Sequence, residues 1–241
     1  MFHFKTFSLS HHKSTLKIGT DSVLLASLIP INKVSSVLDI GCGCGVISFC
    51  LADKMKDDLS EKQEIVGIDI DQNSIEEAQE NRTNFPMMRN QQIDFCHCSL
   101  QQYTNYTKER FDLIVSNPPY FSNSLKPKTA ELEKSKHRDN NLSFEELIDS
   151  ADRLLSENGR FYLILPPAEQ EDFASIVATR WHLFDQWQIF PNPRKAANRI
   201  ISGYAKQKKE EFTLRDLYIR DERSFFTAEY QNITRRFYLE W

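Results

Sequence analysis

The chain has 241 residues, 40% of them hydrophobic, with 30 basic against 34 acidic side chains and a formal net charge of −4. This is enough to bury one substantial core and excludes collagen, coiled-coil and disordered classes. The negative balance also means that nucleic-acid binding would need a local basic patch.

No apolar run approaches the ~20 residues of a membrane span. Met1-Phe2-His3-Phe4-Lys5 lacks the basic-then-apolar layout of a secretory signal, so a cytoplasmic protein with no membrane association is expected. Five cysteines without framework spacing fit reduced thiols, and their pattern suits no zinc set, so no metal site is expected.

Residues 1–18 are polar and irregular, and the His11-His12 stretch, with no Cys or acidic partner nearby in sequence, reads as a solvated loop. A short helix over 22–29 follows, capped by Thr20 or Asp21 and ended by Pro30. The apolar run 34–40 is a strand. It breaks at Asp39-Ile40-Gly41-Cys42-Gly43-Cys44-Gly45, and a helical pattern runs from 46 to about 55, which opens a βαβ unit. Three glycines in five residues let backbone pass close to a ligand. A dinucleotide fingerprint would want glycine where Val46 stands, so that reading fails by one residue, and the acidic-x-G-x-G-x-G pattern instead resembles the first motif of S-adenosylmethionine-dependent methyltransferases.

A second strand over 65–71 ends in Asp69 and Asp71. An acid about 20 residues beyond a glycine loop is placed to grip a ribose diol, for which Asp69 is chosen, while Asp71 caps the helix from Gln72. A third strand covers 93–98, with Ser99 after it. A fourth covers 111–116 and stops at Asn117-Pro118-Pro119-Tyr120, where two prolines remove backbone donors and leave a stiff turn whose carbonyls and amide face the strand end.

Residues 121–141 carry Lys126, Lys128, Lys134, Lys136, His137 and Arg138 against three acids. Such a run is either a solvated face or, given its place beside the strand ends, a substrate-gripping lid. Ser143-x-x-Glu146 is a capping box for a helix to about 156, with Gly159 ending it. The remaining pattern is a strand over 160–165 stopped by Pro166-Pro167, a helix over 168–179, strands over 184–190 and 200–205 joined by a basic connection with Arg194, Lys195 and Arg199, and a strand-like tail from Phe212. Phe237-Tyr238-Leu239 is apolar enough to dock on the body. Strands alternating with helices argue an α/β fold, a mostly parallel seven-stranded Rossmann-like sheet with helices on both faces and ligands at the strands' C-terminal ends. With no repeat or linker, 1–241 is one domain, with 1–33 as an N-terminal segment and 206–241 as a C-terminal extension.

Asp39 to Gly45, Asp69 and Asn117 to Tyr120 together resemble the class I amino-methyltransferases. The whole length is similar to the bacterial family that methylates N6 of adenine 37 in a valine tRNA. Further matching pieces are Phe4-Lys5-Thr6-Phe7, Lys17-Ile18-Gly19-Thr20-Asp21 with Val23-Leu24-Leu25, Leu142-Ser143 with Glu145-Glu146-Leu147, and Phe237-Tyr238-Leu239. The resemblance implies S-adenosylmethionine as cofactor, held by Thr20, Asp21, Asp39, Gly41, Gly43, Gly45, Asp69, Ser99 and Asn117. It implies a valine tRNA as partner, with no obligate protein partner. Asn117 and the Pro118 carbonyl would accept the amine hydrogens and Tyr120 would stack on the base. Pro119 and Phe121 would back the base, with Lys126, Lys128, Lys136, His137, Arg138, Arg194, Lys195 and Arg199 on RNA. Ser99 departs from the family's usual Asp, a weaker acceptor for the cofactor's adenine amine. Enzymes acting on guanine N2 of ribosomal RNA or on a release-factor glutamine share the tetrapeptide, and a non-catalytic cofactor- or RNA-binding protein is the reading from another class.

Overall fold

A computed structural model describes residues 1–14, 17–58, 62–118 and 142–239. In chain order the elements are β1 (Phe2–His3), β2 (Ser8–Leu9), α1 (Thr20–Leu28), β3 (Ser36–Ile40), α2 (Val46–Met55), β4 (Gln63–Asp69), α3 (Gln72–Asn84), β5 (Gln91–His97), α4 (Leu100–Tyr106) and β6 (Phe111–Ser116). After these come α5 (Phe144–Leu154), β7 (Leu155–Leu165), α6 (Pro167–Val177), β8 (His182–Phe190), β9 (Arg199–Ala205), β10 (Thr213–Tyr218) and α7 (Ala228–Thr234).

The main sheet runs β10-β8-β9-β7-β6-β3-β4-β5 and is parallel except for β9, which lies antiparallel between β7 and β8. Its central strands are apolar throughout because both faces are covered, and side chains alternate between them. Val37, Ile65, Leu113, Val115 and Tyr162 join the core under α1, α2 and α3. Leu38, Val66, Ile114, Phe161 and Leu163 join the core under α4, α5 and α6. The Rossmann-like expectation is met, with one strand more than the seven expected. The tail strand β10 supplies it, held to β8 where Arg215 Nη1 meets Asp185 Oδ1 at 2.9 Å and lies 4.6 Å from the Trp187 ring.

Local expectations hold where a side chain caps a helix. Asp71 accepts from Asn73 N at 3.1 Å, and Ser143 and Glu146 form the reciprocal capping box. Three expectations are corrected. The N-cap of α1 is Gly19, with no side-chain cap bond, rather than Thr20 or Asp21. Gly159 does not end a helix, because α5 stops at Leu154 and Gly159 lies inside β7, where a register shift against β6 absorbs the extra residues. Residues 1–18 are not irregular throughout, since the β1–β2 hairpin buries Phe4, Phe7 and Leu9, while His12 and Lys13 are exposed as the solvated-loop reading of that stretch expects. The expected docking of the C-terminus is seen in buried Phe237, whose carbonyl accepts from Lys5 N at 2.9 Å.

The helix after the glycine loop starts from Gly45 at φ +88°, where a side chain would be strained. A Cβ there would come within 2.6 Å of the Phe49 ring and 2.8 Å of the Phe95 ring. Gly45→Ala is expected to cost roughly 2–4 kcal/mol from overpacking and left-handed strain together, read as a lower urea midpoint with an unchanged slope.

Candidate active site at the strand ends

In the middle of the sheet β3 lies between β4 and β6, with Ile40 opposite both Ile68 and Ser116. Their C-terminal ends therefore sit on one rim. The Ser116 hydroxyl donates to the Ile40 carbonyl at 3.0 Å and locks two of these ends together. Gly41 N and Cys42 N both donate to Ile68 O, which turns the glycine loop across the end of β4.

The loop closes on Asp69. Gly43 N donates to Asp69 Oδ2 at 2.8 Å, and Asp71 N donates to Oδ1 at 2.9 Å. Each carboxylate oxygen keeps acceptor capacity for a ligand hydroxyl. Gly41 and Gly43 hold φ of +72° and +55°, and a Cβ added at either would have no heavy atom within 4 Å. Both glycines thus serve the loop's path and leave its outer side open, whereas Gly45 faces the core.

Beneath the loop Asp39 is fully buried. Its Oδ2 accepts from Ser48 N at 3.1 Å and Ser48 Oγ at 2.7 Å, while Oδ1 has no hydrogen-bond partner among the described residues. Burial pushes the Asp39 carboxyl up to about 7 against the pull of the Ser48 bonds, and the Asp69 charge adds to the rise. The Asp69 carboxylate at the loop suits ligand hydroxyls and positive charge, such as the sulfonium and ammonium of S-adenosylmethionine, better than a phosphate.

Asn117 follows β6, half-buried, with Pro118 buried behind it. Its amide nitrogen donates to Ser22 Oγ of α1 at 3.0 Å. The next residue back, Asp21, accepts from Arg199 Nε at 2.7 Å. One helix start thereby joins the Asn117 turn to the beginning of β9. The segment leading into α1 is pinned by α3. Glu77, 0% exposed, accepts from Ser10 Oγ (2.8 Å), His12 N (2.5 Å), Lys13 N (3.1 Å), and Ser14 N and Oγ (2.9 and 2.6 Å). Asn81 Nδ2 donates both to Ser10 O at 3.0 Å and to Cys44 O at 3.1 Å, stitching the segment to the glycine loop itself.

Comparison with known proteins agrees with this geometry. The family described as a methyltransferase domain matches residues 31–210. A tRNA1(Val) (adenine(37)-N6)-methyltransferase of Flavobacterium johnsoniae is 30% identical over 249 residues, covering 100% of both chains. A relative of the same name from Phocaeicola vulgatus is 34% identical, covering 99% of this chain and 97% of its own. The chain belongs to this methyltransferase family. Among solved structures, a protein described as a predicted O-methyltransferase from Agrobacterium tumefaciens has a TM-score of 0.68 at 19% identity, covering 90% of this chain and 96% of that one, which speaks for the fold alone.

Of the residues expected at the site, Asp39, Gly41, Gly43, Gly45, Asp69, Asn117 and Pro118 lie on the central rim or directly beneath it, whereas Thr20 and Asp21 line a neighbouring cleft, where Asp21 is bound to Arg199. Ser99 stands at the N-cap of α4, where its hydroxyl accepts from Gln102 N at 3.1 Å, so one of its two lone pairs is engaged. Arg194 and Lys195 are exposed on the connection between β8 and β9, and Arg199 is bound to Asp21. Pro119, Tyr120, Phe121, Lys126, Lys128, Lys134, Lys136, His137 and Arg138 lie outside the described residues.

Sequence reasoning missed Ser22, Glu77 and Asn81. Buried Ser74, Glu77 and Asn81 form a polar stripe at helical spacing beside Ile75 and Ala78, but such a stripe looks the same when it faces water. Burial alone would raise Glu77, yet the bonds from Ser14, Ser10 and Lys13 outweigh it and bring the carboxyl down to about 2. A depressed acid stabilises the fold above its unfolded value near 4.5 and loses that contribution as pH falls towards 2. Glu77→Gln should therefore cost roughly 3 kcal/mol at neutral pH, with the gap to the native chain closing between about pH 5 and pH 2, as followed by urea titration across pH.

Proposed function

We propose that the chain methylates the N6 amine of adenine 37 in a valine tRNA, using S-adenosylmethionine, in the cytoplasm. It acts as one methyltransferase domain in which residues 1–33 cover the cofactor site and residues 206–241 form an extension. The carrying observation is that the glycine loop, Asp69 and Asn117 share one rim, with the Asn117 amide held by Ser22. Full-length similarity to relatives named for this reaction supports the substrate. Among the described residues no helix is long and apolar enough to cross a membrane.

When bound, S-adenosylmethionine supplies a methyl group on a cationic sulfur, the electrophile of the reaction. This chain's residues would do the rest by position. The open side of Gly41 and Gly43 would hold the cofactor, with Asp69 accepting from its ribose hydroxyls and Asp21, paired with Arg199, near its amino-acid end. An exocyclic adenine amine is a poor nucleophile because its lone pair is delocalised into the ring. The Asn117 Oδ1 and the Pro118 carbonyl would each accept an amine hydrogen and turn that lone pair out of conjugation. No strong base is needed for this, and alignment of the reacting atoms can contribute roughly 7–11 kcal/mol to lowering the barrier. Ser22 would fix the amide rotamer, so the N-terminal helix takes part in positioning. Tyr120 would stack on a base that is already unpaired in an anticodon loop, where extrusion costs least.

Asn117→Ala is expected to lower kcat by on the order of 10²–10³-fold, the scale of losing one preorganised polar group, while calorimetry shows cofactor binding nearly unchanged. Near-normal turnover would end the assignment. Ser22→Ala should lower kcat by about tenfold, the equivalent of one ordinary hydrogen bond, with KM for tRNA unchanged. Asp69→Ala should weaken cofactor binding, and calorimetric affinity equal to the native chain's would count against the ribose role. The deciding measurement is mass spectrometry of tRNA nucleosides from a deletion strain with and without the gene restored. Loss of N6-methyladenosine from valine tRNA supports the reading, and loss from another RNA replaces the substrate.

A further inference from the structure

The glycine loop turns at Gly43 and Gly45, both at positive φ, with Cys44 between them 2% exposed. A peptide plane beside a glycine turns over at little cost, because glycine takes φ of either sign about as readily. The plane joining Cys44 to Gly45 is of this kind, with Gly45 at φ +88°. Bonds at both of its ends oppose the turn. Gly45 N donates to Cys42 O at 2.9 Å, inside the loop, and Cys44 O accepts from Asn81 Nδ2 of α3 at 3.1 Å.

Asn81 is 4% exposed. Its Oδ1 accepts from Ser10 N at 2.7 Å, while its Nδ2 donates to Ser10 O at 3.0 Å as well as to the loop. One acceptor and two donors in use leave the amide a single orientation. Ser10 is anchored in turn by its hydroxyl on Glu77. The Cys44 carbonyl is thereby drawn to the buried side of the loop, beneath the face that Gly41 and Gly43 leave open. Turned over, the plane would lift an oxygen towards that face, next to the Asp69 carboxylate, and take Gly45 N off Cys42 O. Below, the Gly45 N–H would then meet the Asn81 donor, two hydrogens facing each other in a buried place that leaves neither an acceptor.

We propose that Asn81 is a positioning residue for cofactor binding, locking the Cys44–Gly45 peptide plane with its carbonyl turned away from the ligand. The inference rests on the placement of the cofactor over the glycine loop given above and extends it to a side chain 36 residues further along, on a helix outside the motif. The two glycines give the loop its path, and the same freedom leaves that path unspecified. A neighbouring helix supplies what they lack. Loss of the lock would spread the loop over two orientations of one plane and weaken the cofactor, while Asn117, held from α1 by Ser22, keeps its place.

The test uses the full chain, S-adenosylhomocysteine as calorimetric probe, and labelling with ¹⁵N-glycine, which confines the amide spectrum to seven glycines. Asn81→Ala removes all three bonds, and Asn81→Asp keeps an acceptor for Ser10 N but loses both donors. Each should raise the probe Kd by at least about tenfold, the scale of leaving one buried carbonyl without its donor, with KM for tRNA and kcat at saturating cofactor changed by less than about twofold. The Gly45 signal should split or broaden. Gly159 and Gly203, inside β7 and β9, should keep theirs and so report an intact fold. Glu77→Gln loosens the same N-terminal segment while leaving Asn81 on Cys44, and should leave the probe Kd and the Gly45 signal as in the native chain. An unchanged Kd with an unchanged Gly45 signal in Asn81→Asp would overturn the lock. So would an equal rise in Kd in Glu77→Gln, because docking of the segment would then be the cause. If the native chain does not bind the probe, the cofactor placement falls, and the Gly45 signal still decides the lock by itself.

Discussion

The register of β3 between β4 and β6 is the constraint on which the rest of the site depends. With Ile40 opposite Ile68 and Ser116, three strand ends must finish together, and the loops that follow have one side on which to meet. The Ser116–Ile40 and Gly41–Ile68 bonds extend the ladder past its last pair. Asp69 then closes the glycine loop and keeps acceptor capacity outward. A parallel sheet concentrates polar strand ends and helix starts along one rim, and here that rim carries two acids above an apolar core.

Asp69 is the exposed-side acid of the glycine loop, closing it through Gly43 N, and the Asp39 carboxyl buried beneath is pushed up to about 7. Towards β8, β9 and β10 the exposed cations Arg194, Lys195, Arg220 and Arg223 are interspersed with the exposed acids Asp216, Glu222 and Glu229. The Asp21–Arg199 pair stands at the boundary.

The chain ends complete the site. Glu77 binds the segment 10–14 through both main-chain and side-chain groups, and Asn81 ties it to the glycine loop. At the other terminus Arg236 bonds the carboxylate and carbonyl of nearly buried Asp53, and Asp53 also accepts from Thr6 at 2.6 Å. Both termini are thus clamped onto α2 and α3, the helices that follow β3 and β4. Loosening the Glu77–Asn81 clamp would release the glycine loop from the segment 10–14.

Much of this was written locally. The glycine turn, Asp69, the Asp71 cap, the Ser143–Glu146 box and the arrest of β6 at Asn117 follow from backbone rules that act over a few residues, so the sequence alone determined them and placed them at strand ends. Residues 1–14 escaped that reading because strands of two residues carry no period, and the burial of Phe4, Phe7 and Leu9 is decided by what α3 and the C-terminus bring against them. Gly159 looked like a helix stop, yet the pairing of β7 with β6 drew it into a strand. The partners of Asn117, Asp21 and Glu77 lie 95, 178 and up to 67 residues away in the chain. Nothing local encodes such partners. Only the tertiary structure, by stacking α1, α3 and β9 around one rim, decided which carboxylate binds a guanidinium, which gathers amides, and which is left for a ligand.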